Sequence, residues 1–243
     1  STTNGPLVEA IKELGDGDTN NVLALTYPDS GSGNSAFRVN PISGSADGFT
    51  ASFDFILSTE GTSDGADGFS FNYGNADTQA AGSSAIALGS EEGMAGVTGV
   101  TQNLSFEVDT WRNGSNDQGL AISSMTPNDD GNLAFEYGDF FVAQNTSFRA
   151  QTFVGTAQMG WDPDNGATFE ITEWKEYDSG RGEWDEGTMT DFPRDTVFEN
   201  IQVEGFVGND SYTFNISART GGKNEYFAVD NVNIEMLEEA GGT

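Results

Sequence analysis

Hydrophobic and polar residues alternate along most of this chain with the two-residue period of a β-strand whose faces meet different environments. The clearest run is Phe49–Leu57, in which Phe49, Ala51, Phe53, Phe55 and Leu57 share one face. The same reading predicts strands at Val22–Tyr27, Ala36–Val39, Gly68–Tyr73, Leu104–Trp111, Leu120–Ser123, Leu133–Tyr137, Phe148–Val154, Thr168–Trp174, Ile201–Val207, Tyr212–Arg219 and Tyr226–Met236. Clusters of Gly, Asn, Asp and Ser separate the runs, as turns require. A helix is predicted only at Pro6–Leu14, where Pro6 suits the first helical position, Leu7, Ile11 and Leu14 form a stripe, and Gly15 ends it. So many strands must stack or close on themselves. The expected fold is all-β, an antiparallel two-sheet sandwich of jelly-roll type with one short N-terminal helix.

A chain of 243 residues is long enough for one large core, and no shift of composition favours two domains. The expected organisation is a peripheral helix and linker over 1–19, the sandwich over 20–237 and a tail over 238–243. Asp162–Arg194 is the least patterned stretch, with Trp174, Tyr177 and Trp184 among many carboxylates, and reads as a strand plus a long excursion.

Charge and missing residue types narrow the function. Nine Lys and Arg face 39 Asp and Glu, a formal net charge of −30 spread along the whole chain. Such a field excludes nucleic acid as a partner, repels anionic lipids and polyanionic glycans, and suits a saline setting where salt screens self-repulsion. With no cysteine, the fold owes nothing to disulfides. The absence of histidine removes the usual general base, imidazole metal ligands and any Ser-His or Cys-His pair. No stretch is apolar for the ~20 residues of a membrane span, so membrane insertion is not expected, and none reads as a signal peptide. The chain opens on Ser1 rather than methionine, which suggests a piece of a longer exported or cell-surface protein with neighbouring domains.

The most informative run is Leu104–Asn113. Alternation puts Leu104, Phe106, Val108 and Thr110 on a core face and Glu107, Asp109 and Trp111 on the other. That second face reads either as a solvated surface or as part of a site for a hard cation. Calcium takes roughly six to eight oxygens from carboxylates, amide and backbone carbonyls and water. Asp109, the Trp111 carbonyl, Asn113 and Asp117 are donors of the right kind at short range, and Glu107 adds a carboxylate. No Asp-x-Asp-x-Asp-Gly loop and no Gly-Gly-x-Gly-x-Asp array occurs, which disfavours the helix-loop-helix and β-roll calcium folds.

Gly33–Ile42 with Phe49–Phe55, Ala66–Phe71, Glu107–Asn113 and Phe214–Ile234, four separated segments in order along residues 20 to 237, together resemble the legume-type (L-type) lectin domains, a family with a concanavalin A-like jelly roll that includes many bacterial surface proteins. Gly33–Ile42 followed by Phe49–Phe55 looks like the family's opening hairpin and first long strand. Ala66-Asp67-Gly68-Phe69-Ser70-Phe71 resembles the family's Ala-Asp-Gly-Leu-Ala-Phe signature. Glu107-Val-Asp-Thr-Trp-Arg-Asn113 resembles its Glu-Phe-Asp-Thr-aromatic-x-Asn metal strand, and Phe214–Ile234 its Gly-Phe-Ser-Ala-x-Thr-Gly stretch and last strand.

The resemblance implies a glycan as partner and calcium as cofactor, and the nine basic residues against 39 acidic ones favour a neutral glycan. Asp67 would stand at the sugar-binding aspartate, with a turn aspartate as the alternative. Gly93, in Glu92–Val97, would let a backbone N–H approach a sugar hydroxyl, unless it is an ordinary turn glycine. Asn113 would ligate calcium and donate to the sugar. Trp111 would give its carbonyl to the metal and its ring to a pyranose face, or else be a core residue. Gly222, Lys223 and Asn224, in Thr220–Glu225, would be the specificity-loop contacts. The plant-type members hold a second, transition metal partly through a histidine; Asp117–Ile122 has none, so that two-metal site cannot be complete, and Asn116 is a substitute for Asp117 as a ligand.

Two other classes compete. Retaining β-glucanases on the same jelly roll need nucleophile and acid carboxyls ~5–5.5 Å apart. Glu107 and Asp109 fit half of such a strand, but Trp111 and Arg112 stand where the second glutamate should fall, and only Glu183 or Glu186 would supply it from elsewhere. The chain is therefore not read as an enzyme. The other competitor is a structural or adhesin module that keeps calcium for stability alone.

Overall fold

The computed structural model describes residues 22–27, 33–59, 68–75, 102–110, 119–127, 133–142, 152–178, 181–185, 197–220, 223 and 225–237. These form β1 (Leu23–Thr26), β2 (Gly33–Val39), β3 (Phe49–Ser58), β4 (Gly68–Gly74), β5 (Asn103–Asp109), β6 (Gly119–Pro127), β7 (Leu133–Val142), β8 (Thr152–Asp162), β9 (Gly166–Asp178), β10 (Glu183–Asp185), β11 (Val197–Ile201), β12 (Thr213–Thr220) and β13 (Tyr226–Met236). The only helical turn among the described residues is a 3-10 turn at Ser45–Asp47. The predicted helix at Pro6–Leu14 and the tail over 238–243 lie outside the described residues.

Two antiparallel sheets form a jelly-roll sandwich. One has the order β1-β13-β3-β8-β9-β10, with β11 also pairing β9, and the other the order β2-β12-β4-β5-β6-β7. The inward rows interdigitate as the alternation predicts. Phe49, Phe53 and Phe55 of β3 meet Phe69 and Phe71 of β4, with ring centroids 5.1–6.3 Å apart in four of these pairs. Where strict alternation would expose an apolar residue, a bulge restores it. Glu173 takes a left-handed φ of +53° in β9, so that both Ile171 and Trp174 reach the core. In β13, Asn231 at φ +50° does the same for Val229 and Val232, held by a 2.7 Å hydrogen bond from its amide to Asp54.

Three predicted boundaries shift for physical reasons. β8 runs to Asp162 rather than ending at Val154, because its inward positions include Gly155 and Ala157, whose smallness hides the pattern. A Cβ on Gly155 would stand 3.1 Å from the Phe55 ring, so the glycine makes room for the aromatic residue. Ile201–Val207 is not a strand: β11 ends at Ile201, and the chain turns at Glu204–Gly205 to lay Phe206 against Trp161 at 5.2 Å. The Asp162–Arg194 excursion is largely sheet up to Asp185. Asp162 accepts the Asp164 and Asn165 amides in a tight turn, which holds its carboxyl below the usual range, and β9 and β10 then form a hairpin.

At the end of the sandwich where β4 finishes, Tyr73 joins three segments. Its buried hydroxyl donates to the Ser45 carbonyl at 2.8 Å and accepts the Asn209 amide at 3.0 Å, and burial pushes the phenol above its ordinary value. Asp210 adds a second tie by accepting the Gly44 and Ala46 amides at 3.0 Å. Tyr73→Phe strands the buried Ser45 carbonyl and the part-buried Asn209 amide and should cost about 1–3 kcal/mol in urea unfolding. A loss below about 0.5 kcal/mol would contradict this account of the hub.

Candidate functional site

The strand registers bring the motif-bearing segments to one end of the six-stranded sheet. Gly68, first in β4, pairs with Asp109, last in β5, and with Arg219 near the end of β12. Asp109 also pairs with Gly119, first in β6. The segments 60–67, 110–118 and 221–224 therefore join the sheet at the same end. They carry Asp67, then Trp111, Asn113 and Asp117, then Gly222 and Asn224, all of which lie outside the described residues. Lys223 is described and exposed. Gly93 also lies outside the described residues, in 76–101, which joins the opposite end of the sheet, where the Asn75 amide donates to the Gln102 carbonyl at 3.0 Å.

Gly68 makes the close approach possible. Its φ is +114°, and a Cβ would stand 2.0 Å from the Val108 carbonyl oxygen and 3.2 Å from the Thr110 nitrogen. Only glycine allows both the backbone conformation and the contact. The glycine of the Ala66-Asp67-Gly68 motif thus has a steric role that sets β4 against the carboxylate-bearing end of β5.

The core face of β5 is as predicted, with Leu104, Phe106, Val108 and Thr110 buried. The other face departs from the solvated reading, for Glu107 and Asp109 are 0 % and 1 % exposed. Ser123 donates to Glu107 across the β5–β6 pair. Further along this face runs a buried polar network through β12, β4 and β5. The Asn72 amide donates to Ser70 at 2.9 Å and Ser217 at 3.0 Å, Ser105 donates to Asn72 at 2.6 Å, and Asn103 donates to Ser105 at 2.6 Å. Buried polar groups are stable when mutually satisfied in this way. The sequence signal for it is the choice of short Ser and Asn at alternate positions, where a solvated sheet face would carry longer charged chains.

Sequence reasoning missed one contact at this end. The Thr110 hydroxyl lies 3.0 Å from both carboxylate oxygens of Glu225, and both side chains are fully buried. Among the described residues no three Asp, Glu, His or Cys side chains converge as a metal-binding group. The described part of the predicted set, Glu107 and Asp109, offers hard oxygen donors from one face of one strand end, a chemistry that suits calcium. A separate groove of about 450 Å³ lies on the outer face of the other sheet, lined by Thr50, Ser52, Gln158, Thr168, Glu170 and Asn233 among others. It contains none of the predicted site residues.

No protein-family model matches the sequence, and no curated protein does. Among solved structures, peanut lectin is similar at 16% identity, covering 87% of this chain and 84% of that one, with a TM-score of 0.49. The seed lectin of Lotus tetragonolobus is similar at 14% identity over 90% and 89%, with a TM-score of 0.49. The VIP36 exoplasmic/lumenal domain in its Ca2+/Man3GlcNAc-bound form is similar at 16% identity over 90% and 82%, with a TM-score of 0.48.

Proposed function

We propose that this chain is a calcium-dependent carbohydrate-binding domain of an exported or cell-surface protein, with a neutral glycan as ligand. The observation that carries the reading is the meeting of Gly68, Asp109, Gly119 and Arg219 at one sheet end, which gathers three of the segments that resemble lectin motifs. In this reading Glu107, Asp109, the Trp111 carbonyl, Asn113 and Asp117 hold calcium. Buried carboxylates such as Glu107 and Asp109 favour a compensating cation beside them.

A sugar offers adjacent hydroxyls that donate to a carboxylate and accept from an amide, together with a C–H face that packs on an aromatic ring. Asp67 is the acceptor, Asn113 the donor and Trp111 the platform, while Gly222, Lys223 and Asn224 border the site; the Gly93 N–H joins them as a second donor only if segment 76–101 runs back from the opposite sheet end. Calcium restrains Asn113 beforehand, which lowers the ordering cost of binding. Only nine basic residues stand against 39 acidic ones, so sulfated and uronic glycans are disfavoured. The second reading, a structural module that keeps calcium, draws on the same burial of Glu107 and Asp109.

A glycan array with calcium and with chelator separates the two, because a structural module binds nothing in either. Calcium at a hundred times its Kd should also stabilise the fold by about 2.7 kcal/mol. Asp109→Ala is expected to abolish calcium and glycan binding, and Asp67→Ala glycan binding alone. An unchanged melting curve in excess chelator would remove the metal site, and equal loss of calcium in both variants would overturn the division of roles.

A further inference from the structure

Two buried polar side chains bridge the sandwich at the end where the candidate site lies. Thr110 follows β5 in one sheet and Glu225 precedes β13 in the other, 115 residues apart in the chain, with the hydroxyl 3.0 Å from each carboxylate oxygen. One step further along the strands, Phe69 of β4 stacks on Phe227 of β13 at 4.3 Å. The polar bridge therefore caps an aromatic contact between the same two sheets.

A glutamate in this place is a poor choice for packing alone. Taking a carboxylate from water is costly, and an apolar side chain would fill the space without that cost. What the carboxylate adds is a directional, charge-assisted link, stronger than a neutral hydrogen bond. The link joins the strand end that leads from Asp109 into 111–118 to the strand start that arrives from 221–224.

We propose that Glu225 is a positioning residue: through Thr110 it holds the start of β13 against the end of β5, so that calcium bound at the Asp109 end also orders the Glu225–Tyr226 end across the sandwich. This rests on the calcium reading above. It adds to that reading a residue that the motif treats only as the close of a loop.

The test is amide hydrogen exchange with calcium and with chelator, beside a calcium titration, on the full chain. In the wild type, calcium should slow exchange about tenfold at both Thr110 and Glu225–Tyr226. Thr110→Val keeps the shape but loses the donor. It should bind calcium within about threefold of wild type and keep the protection at position 110, but lose it at Glu225–Tyr226, with Thr110→Ser restoring it. A merely structural bond would slow or speed both ends together.

Protection that still reaches Glu225–Tyr226 in Thr110→Val overturns the proposal. If the wild type takes up no calcium, the calcium reading falls, and the metal-free samples decide the bridge alone. Exchange that is faster at Glu225–Tyr226 than at position 110 in Thr110→Val, reversed in Thr110→Ser, then upholds Glu225 as a positioning residue without the calcium coupling, and identical exchange overturns it. Should Thr110→Val not fold, Glu225→Gln is read in the same way, with partial loss of transmission supporting the bridge and full transmission counting against it.

Discussion

Replacing Gly68 by alanine should lower stability by on the order of 3 kcal/mol or more, the joint result of a backbone conformation closed to alanine and a direct clash. The φ of +114° and the 2.0 Å approach of a Cβ to the Val108 carbonyl cannot both be relieved without parting β4 from β5. Because that carbonyl lies beside Asp109, any relief also shifts the proposed calcium strand. Calcium and glycan affinity should therefore fall even at temperatures where the variant is folded. Gly44 supplies the comparison: its φ is +89°, but its Cβ would meet nothing closer than 3.7 Å, so Gly44→Ala should cost only about 1 kcal/mol and spare binding. Urea unfolding followed by tryptophan fluorescence, with calcium titration, reads both variants. Equal losses would show that strain, not contact with β5, sets the requirement for glycine at position 68.

Truncating Phe69 to alanine should cost about 3–5 kcal/mol, the usual range for a buried aromatic ring replaced by a cavity. Phe69 stacks on Phe227 at 4.3 Å and packs on Phe55 at 5.1 Å and Phe53 at 6.0 Å, so one deletion empties the contact between both sheets at the candidate-site end. Phe69→Leu, which keeps most of the volume, should recover a large part of the loss. The predicted signature is a lowered melting temperature with calcium affinity preserved in the folded fraction. Loss of calcium binding in a sample that circular dichroism shows to be folded would mean that this ring holds the proposed calcium strand directly.

Alternation alone was enough to read the sandwich. In Phe49–Leu57 and Leu104–Val108 the inward residues are apolar and, Ala51 apart, large, so the sequence period and the core face coincide. It failed where the core is built from small residues or bulges. Gly155 and Ala157 carry no hydrophobic signal although they face the Phe-filled interior, and the inward turn of Trp174 depends on the left-handed Glu173, which no periodicity reveals. Ile201–Val207 failed in the opposite sense, since beyond the end of β11 Val203 and Phe206 anchor a loop and Val207 is exposed.

For the candidate site, the sequence by itself determined which residue types are at hand: Glu107 and Asp109 on one face, glycine at position 68, and no histidine for a second metal. Tertiary structure alone decided that Gly68, Asp109, Gly119 and Arg219, the strand positions bordering the motif segments, meet at one sheet end, because that follows from β4 pairing with both β5 and β12, strands far apart in the chain. It also decided that the outer face of β5 is buried rather than wet, and that Glu225 turns inward to Thr110 instead of lying in a surface loop. Local patterning reports which face of a strand is apolar. What covers the other face, and which distant residue meets a buried carboxylate, depends on long-range contacts that no local window contains.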